Sequence, residues 1–264
     1  MLFEGDEHKG KEGNEHKGKK TMGKLRFGGQ AAGVAGAAYL AGHGFDFIDI
    51  NLNEMEKVRR EATGILEAAE RGGLFFVAHA PDLRVDNTRG LKKINEAIEF
   101  SAIFSPRTIT IHPILAPGSN TPEKIRSKLR EIGRLAELAG GSGSKIACEN
   151  TSETAADMGE LLDMFPEVVL TLDIGHSELL SDRNKSLDFI SAYPDRIGHV
   201  HIHDNIGGNT YYEDLHLPLG EGRIEFGPIL KALKGLPREV TITFEMPREK
   251  AFESIKWLRE RDLV

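Results

Sequence analysis

From Lys24 onward the chain alternates between two hydrophobic periods. Short runs rich in β-branched and aromatic residues recur at 24–28, 45–51, 74–79, 108–112, 145–149, 168–173, 197–203 and 240–245. Each has the length and composition of a buried strand. Between them the period lengthens to that of a helix. Ile125, Leu129, Ile132, Ala136 and Ala139 step by four, three, four and three, which lines one helical face. Thr121-Pro122 supplies a start for that helix and Gly140-Gly141 a stop. Further helices are expected near 31–41, 54–71, 90–104, 155–164, 185–192, 227–235 and 249–261, with Asn53 and Glu56 as the reciprocal cap of the second. The helix at 31–41 is intrinsically the poorest, because an interior glycine costs about 1 kcal/mol relative to alanine. Trp257 is spaced from Ile255 and Leu258 as a residue packing on the sheet would be.

Eight strand-then-helix units fit a closed barrel or a doubly wound open sheet, and the polar residues separate the two. Six successive apolar runs carry, at or near their ends, a residue able to bind a divalent metal: His79, His112, Glu149, Asp173, His201 and Glu245. An open sheet would string these ends along a line, whereas a closed barrel gathers them above one mouth. The expected fold class is therefore α/β, a single-domain (β/α)8 TIM barrel over residues 22–264. Residues 1–21 repeat Glu-His-Lys-Gly-Lys at 7–11 and 15–19 within a Gly-rich, charged stretch, and are expected to be a disordered, tag-like extension.

The densest chemistry lies between 197 and 222. His199, His201 and His203 alternate along one strand face, Asp204 follows, and a loop then delivers Asp214, His216 and a Gly-Glu-Gly turn. Imidazoles and carboxylates are ligands of zinc and manganese. A hydrogen-bonded histidine strand in the core is the competing reading of this segment alone. Asp173-Ile-Gly-His176 adds a further imidazole. The full candidate set is His79, His112, Glu149, Asp173, His176, His201, Asp214, His216 and Glu245, five imidazoles and four carboxylates. That exceeds what one ion with an open position can use and suffices for two or three bridged by Glu149. Because the three strand histidines share a face and differ only in depth, the pattern leaves open which of them reaches an ion.

Composition narrows the setting. The chain has 264 residues, 39% hydrophobic and 28% charged, enough for one large core. A net charge of -7 counts against a broad basic nucleic-acid surface while leaving room for a local basic groove. The lone Cys148 has no internal disulfide partner and reads as a small buried strand residue in a reducing compartment. No run of about 18 apolar residues and no signal-peptide pattern occurs, so a cytoplasmic, membrane-free protein is expected.

With these motifs in view, residues 24–260 resemble the xylose-isomerase-like TIM barrels, a superfamily that includes endonuclease IV (AP endonuclease family 2) and many sugar isomerases and epimerases. The resemblance rests on His79-Ala-Pro, His112-Pro, Glu149-Asn-Thr, Asp173-x-x-His176, His201-x-x-Asp204, Asp214-x-His216-x-x-Leu-Gly-Glu-Gly and Glu245. It implies a metal-dependent phosphoesterase of the DNA-repair type, a hydrolase with two or three zinc ions on the nine positions. Glu149 would bridge ions, and abasic DNA would be the partner. The alternative it implies is a sugar or sugar-phosphate isomerase or epimerase. That enzyme would hold one ion, such as manganese, on Glu149, Asp173, His201 and Glu245, with Glu149 and Glu245 as catalytic proton carriers and a phosphorylated sugar as partner. A non-catalytic metal- or sugar-binding barrel is the lesser alternative. No protein partner is implied. Asp82-Leu-Arg-Val-Asp86, Ile174-Gly175 and Leu215 depart from the endonuclease pattern in regions that meet DNA in the repair enzymes.

Overall fold

The computed structural model describes residues 23–264; the expected extension at 1–21 lies outside them. Eight parallel strands, β1 (Leu25–Ala31), β2 (Phe47–Asn51), β3 (Phe75–His79), β4 (Thr108–Ile111), β5 (Lys145–Glu149), β6 (Val169–Asp173), β7 (Ile197–Ile202) and β8 (Val240–Phe244), pair in sequence order. β8 pairs back onto β1, from Leu25 opposite Val240 to Gly29 opposite Phe244, and closes the barrel. The intervening helices are α1 (Val34–Gly42), α2 (Met55–Gly72), α3 (Thr88–Ser101), α4 (Pro122–Gly140), α5 (Gly159–Met164), α6 (Ser186–Ala192), α7 (Phe226–Lys234) and α8 (Arg248–Glu260). Among the described residues no helix is long and apolar enough to cross a membrane.

Local sequence explains most boundaries. Pro122 sits in the first turn of α4, the Thr121 hydroxyl accepts from the Lys124 amide, and the helix stops at Gly140. Leu129, Ile132, Ala136 and Ala139 are buried as the periodicity requires, each Leu or Ile contributing about 1.5–3 kcal/mol of burial. The expected Asn53 cap is a correction. A single 3-10 turn at Leu52–Glu54 precedes α2, and the side chain of Asn51 accepts from the Asn53 amide instead. Asn53 is engaged elsewhere, donating to Asp82 Oδ2 (2.8 Å) and accepting from the Asp82 amide (2.9 Å), which ties the loops after β2 and β3 together.

Every strand has two chemically different faces. Ile48, Ile50, Phe76, Ile109, Ile111, Ile146, Leu170, Leu172, Val200, Ile202, Ile242 and Phe244 belong to the hydrophobic core between sheet and helices. The alternate positions face the barrel axis, as bonds between non-adjacent strands show. Thr110 on β4 bonds Thr171 on β6 (2.8 Å), and Thr243 on β8 donates to Asp49 on β2 (3.0 Å). Low in the interior the Phe47 ring covers Gly28, where a Cβ would lie 2.3 Å from the ring. Above it the lining becomes polar, and the register sets Asp173 beside His201 and His201 beside Thr243.

Candidate metal centre

At the carboxyl ends of β5, β6, β7 and β8, four donor atoms turn toward one point. His201 Nδ1 lies 3.3 Å from Glu149 Oε1, 3.8 Å from Asp173 Oδ2 and 3.5 Å from Glu245 Oε2. The remaining oxygen of each carboxylate is held by the protein. Glu149 Oε2 bonds His112 Nε2 (3.1 Å), Asp173 Oδ1 accepts from the His176 amide (2.6 Å), and Glu245 Oε1 accepts from Gln30 Nε2 (2.9 Å). Glu149, Asp173 and His201 are fully buried, and Glu149 Oε1, Asp173 Oδ2 and His201 Nδ1 have no hydrogen-bond partner. Three carboxylates around one imidazole, with Glu149 and Asp173 each offering a buried oxygen without a partner, form a donor set suited to a divalent cation.

The charges respond accordingly. Burial disfavours the charged form of His201, but Glu149 and Glu245 outweigh it and raise its pKa to about 9. Burial likewise works against the Glu149 carboxylate, and His201 and His112 overcome it to hold that group well below the usual range. Asp173 is lowered by His176 and His203 against the same burial.

Two of the remaining candidate histidines, His176 and His216, gather with Asp214 and with His203 in a second group. Asp214 Oδ2 lies 3.0 Å from His176 Nε2 and 2.9 Å from His216 Nε2. The opposite ring nitrogens donate to backbone carbonyls, His176 to Asn150 (3.1 Å) and His216 to Glu245 (2.7 Å). Burial opposes charge on both rings. Asp173 and Asp214 nevertheless raise His176 well above the ordinary range, and Asp214 with Glu245 brings His216 to about 9. His79 and His112 lie against Glu149; His79 Nδ1 donates to the Ala80 carbonyl, its Nε2 is 3.4 Å from Glu149 Oε2, and its ring stacks on His201. All nine sequence candidates thus reach the mouth, but they divide into a carboxylate-rich pocket and two flanking histidine groups.

Other residues at the mouth stand outside the nine candidates. His203 lies flat on Gly175, where a Cβ would come within 2.0 Å of the ring, and stacks on His216 at 3.9 Å. Asp49, buried mid-strand in β2, faces His201 Nε2 at 3.8 Å; its signal was a carboxylate alternating in period with Phe47 and Asn51. Glu153 accepts from the amides of Ala116, Thr151 and Ser152, and so anchors the loops beside the site. Asp204, in the His201-x-x-Asp204 motif, accepts from the amides of Gly220, Gly222 and Ile224 and shapes the Gly-Glu-Gly loop. A cavity of about 620 Å³ opens beside Glu245, lined in part by Gln30, Asn51, Lys57, His216 and Arg248. That volume suits a small polar molecule.

The family described as xylose isomerase-like TIM barrel matches residues 37–261. The chain belongs to that family. It is 30% identical over 200 residues to the uncharacterized protein MJ1614 of Methanocaldococcus jannaschii, covering 70% of this chain and 74% of that one. A D-tagatose 3-epimerase-like protein superposes with a TM-score of 0.71 at 24% identity, covering 89% of this chain and 96% of that one. A D-allulose 3-epimerase from Methylomonas sp. in complex with D-allulose gives 0.71 at 19%, covering 91% and 99%.

These likenesses correct the endonuclease expectation: the matched barrels are named as sugar 3-epimerases, not phosphoesterases. The DNA-repair role, abasic DNA as partner and zinc-dependent hydrolysis fall with it. The site gives a physical reason. Lys57 and Arg248, the cations of the cavity, are each paired with a neighbouring glutamate, at 3.0 and 2.8 Å. Nothing there presents the unpaired cationic surface that a phosphate backbone needs.

Proposed function

We propose that this xylose isomerase-like barrel is a sugar epimerase that inverts a carbon next to the carbonyl of a ketose, with one divalent ion on Glu149, Asp173, His201 and Glu245. The observation that carries the reading is the arrangement of three carboxylates, each with one oxygen tied to the protein and the other aimed at His201 Nδ1. The named activities of the matched barrels support the reaction class. When bound, the ion would polarise the sugar carbonyl and acidify the adjacent C–H.

The chain's own residues would do the rest. Glu149 and Glu245 stand at the ends of β5 and β8, three strands apart around the ring, and so approach a bound sugar from different sides. One would take the proton from the carbon and the other return one to the opposite face. His112 and Gln30 fix the second oxygens of these two carboxylates, limiting the reorientation needed during proton transfer. His176, Asp214 and His216 would offer donors and acceptors to the sugar hydroxyls, a role that requires no ion. Burial beneath the loops would keep bulk water from competing for the proton.

The test is proton exchange. Manganese-loaded protein incubated in deuterated water with free and phosphorylated ketoses should place deuterium on the carbon next to the carbonyl and form the epimer, both read by NMR. Stoichiometric metal binding without exchange on any ketose would overturn the epimerase reading.

A further inference from the structure

Directly beneath His201 lies a polar network whose proton positions can be deduced from its partners. Thr243 Oγ1 donates its only proton to Asp49 Oδ2 (3.0 Å). It must then accept at its contact with His199 Nε2 (3.0 Å), so that nitrogen carries hydrogen. His199 Nδ1 in turn accepts from the Thr241 hydroxyl (2.7 Å). His199 is therefore a neutral, fully used core histidine, in keeping with a pKa driven well down by burial and by His201. Asp49, 1% exposed, is left with Oδ1 unpartnered. The remaining donor facing it is His201 Nε2, 3.8 Å from Oδ2. Burial raises the Asp49 carboxyl above its ordinary value, and His201 and His79 offset part of that rise.

We infer that Asp49 is a positioning residue for the metal centre: its carboxylate keeps the His201 proton on Nε2 and so presents Nδ1, unprotonated, to the ion. The inference rests on the metal-centre reading above. It assigns a purpose to an otherwise costly buried carboxylate and settles which strand histidine is the ligand. His199 is saturated below, and His201 has one nitrogen toward Asp49 and the other toward Glu149, Asp173 and Glu245. Carboxylates placed behind ligand imidazoles in this way fix tautomer and raise basicity, and their loss commonly weakens metal affinity 10–100-fold.

The experiment compares manganese affinity, by titration calorimetry, in the wild type, Asp49→Asn and Thr241→Val. An asparagine keeps the shape but can donate its amide to His201 Nε2 and drive the proton to Nδ1. Asp49→Asn should weaken the dissociation constant tenfold or more, with the far-ultraviolet circular dichroism unchanged. Thr241→Val, which loosens the same network behind His199, should lower Tm and leave affinity within threefold. A change under tenfold in Asp49→Asn, or an equal loss in Thr241→Val, overturns the assignment. A second measurement needs no variant. In cadmium-loaded wild-type protein, nitrogen NMR of the histidine rings should show His201 protonated at Nε2 and bound through Nδ1; ligation through Nε2 also overturns it. Wild-type protein that binds no divalent ion would remove the metal centre itself, whereas unaltered binding in Asp49→Asn removes only the role of Asp49.

Discussion

The two halves of the barrel mouth contain similar residue types and solve opposite problems. In one half Glu149, Asp173 and Glu245 surround the single imidazole of His201, and several buried donor atoms have no partner. In the other, Asp214 is shared by His176 and His216, whose outer nitrogens end on backbone carbonyls. Leaving a buried polar group unpaired costs about 1–3 kcal/mol, a cost that a cation in the first half would offset. The second is partly satisfied by its own hydrogen bonds, with both ring nitrogens of His203 left without a partner.

The sharpest way to break this contrast is Glu149→Gln, which keeps size and removes charge. Activity should fall by at least about a thousandfold, a loss of roughly 4 kcal/mol in transition-state stabilisation, and manganese binding should be lost while the circular dichroism spectrum persists. Activity within tenfold of wild type would show that the carboxylate pocket is not the reacting centre.

Next in size is the count and effect of bound ions. One ion per chain is expected by elemental analysis, and its removal with a chelator should lower Tm by several degrees, since a ligand bound only by the folded state adds to stability. Two or more tightly held ions would mean that the histidine half also binds metal, and would erase the difference between the halves.

The histidine half should instead reveal itself through pH. In metal-free protein His216 titrates near 9 and His176 well above its ordinary value. Groups raised by folding contribute stability that is complete below their unfolded pKa of about 6.5 and lost as pH passes the folded one. Chemical denaturation of the metal-free protein should therefore show falling stability between about pH 7 and 10. A flat profile over that range would argue against the Asp214 pairs.

The smallest effect is expected from His203→Asn, which removes a ring that lies on Gly175 and stacks on His216. Ion stoichiometry should stay at one and activity should change less than tenfold, measured by the same exchange assay. Loss of the ion would move His203 into the metal-binding half.

Much of this was readable from residue order, because alternation along strands is enforced by the barrel wall itself. The strand boundaries at β3, β5 and β6 and the ring of His79, Glu149 and Asp173 follow from where apolar runs end. Even the Gly-rich α1 forms, since Gly36 packs against Ala31 and a Cβ there would lie 2.9 Å away. What could not be read was direction. The division of the nine candidates into a carboxylate pocket and flanking histidine groups depends on which oxygen each carboxylate spends on its partner, and Gln30 and His112 lie far in sequence from the carboxylates they hold. Asp49 escaped notice because it lies within its strand, where attention to strand ends does not reach. Asn53 was misassigned because a contact with Asp82 outcompeted local helix capping.

The alternation of β7 also protects the fold against a mistake in assembly. Sliding this strand by one residue would carry His199, His201 and His203 into the greasy layer beneath the helices and point Val200 and Ile202 at the acidic mouth. Both exchanges are unfavourable, so the slipped pairing is no close competitor of the correct one. The groups that equip the site for chemistry therefore also act as a register key while the barrel closes.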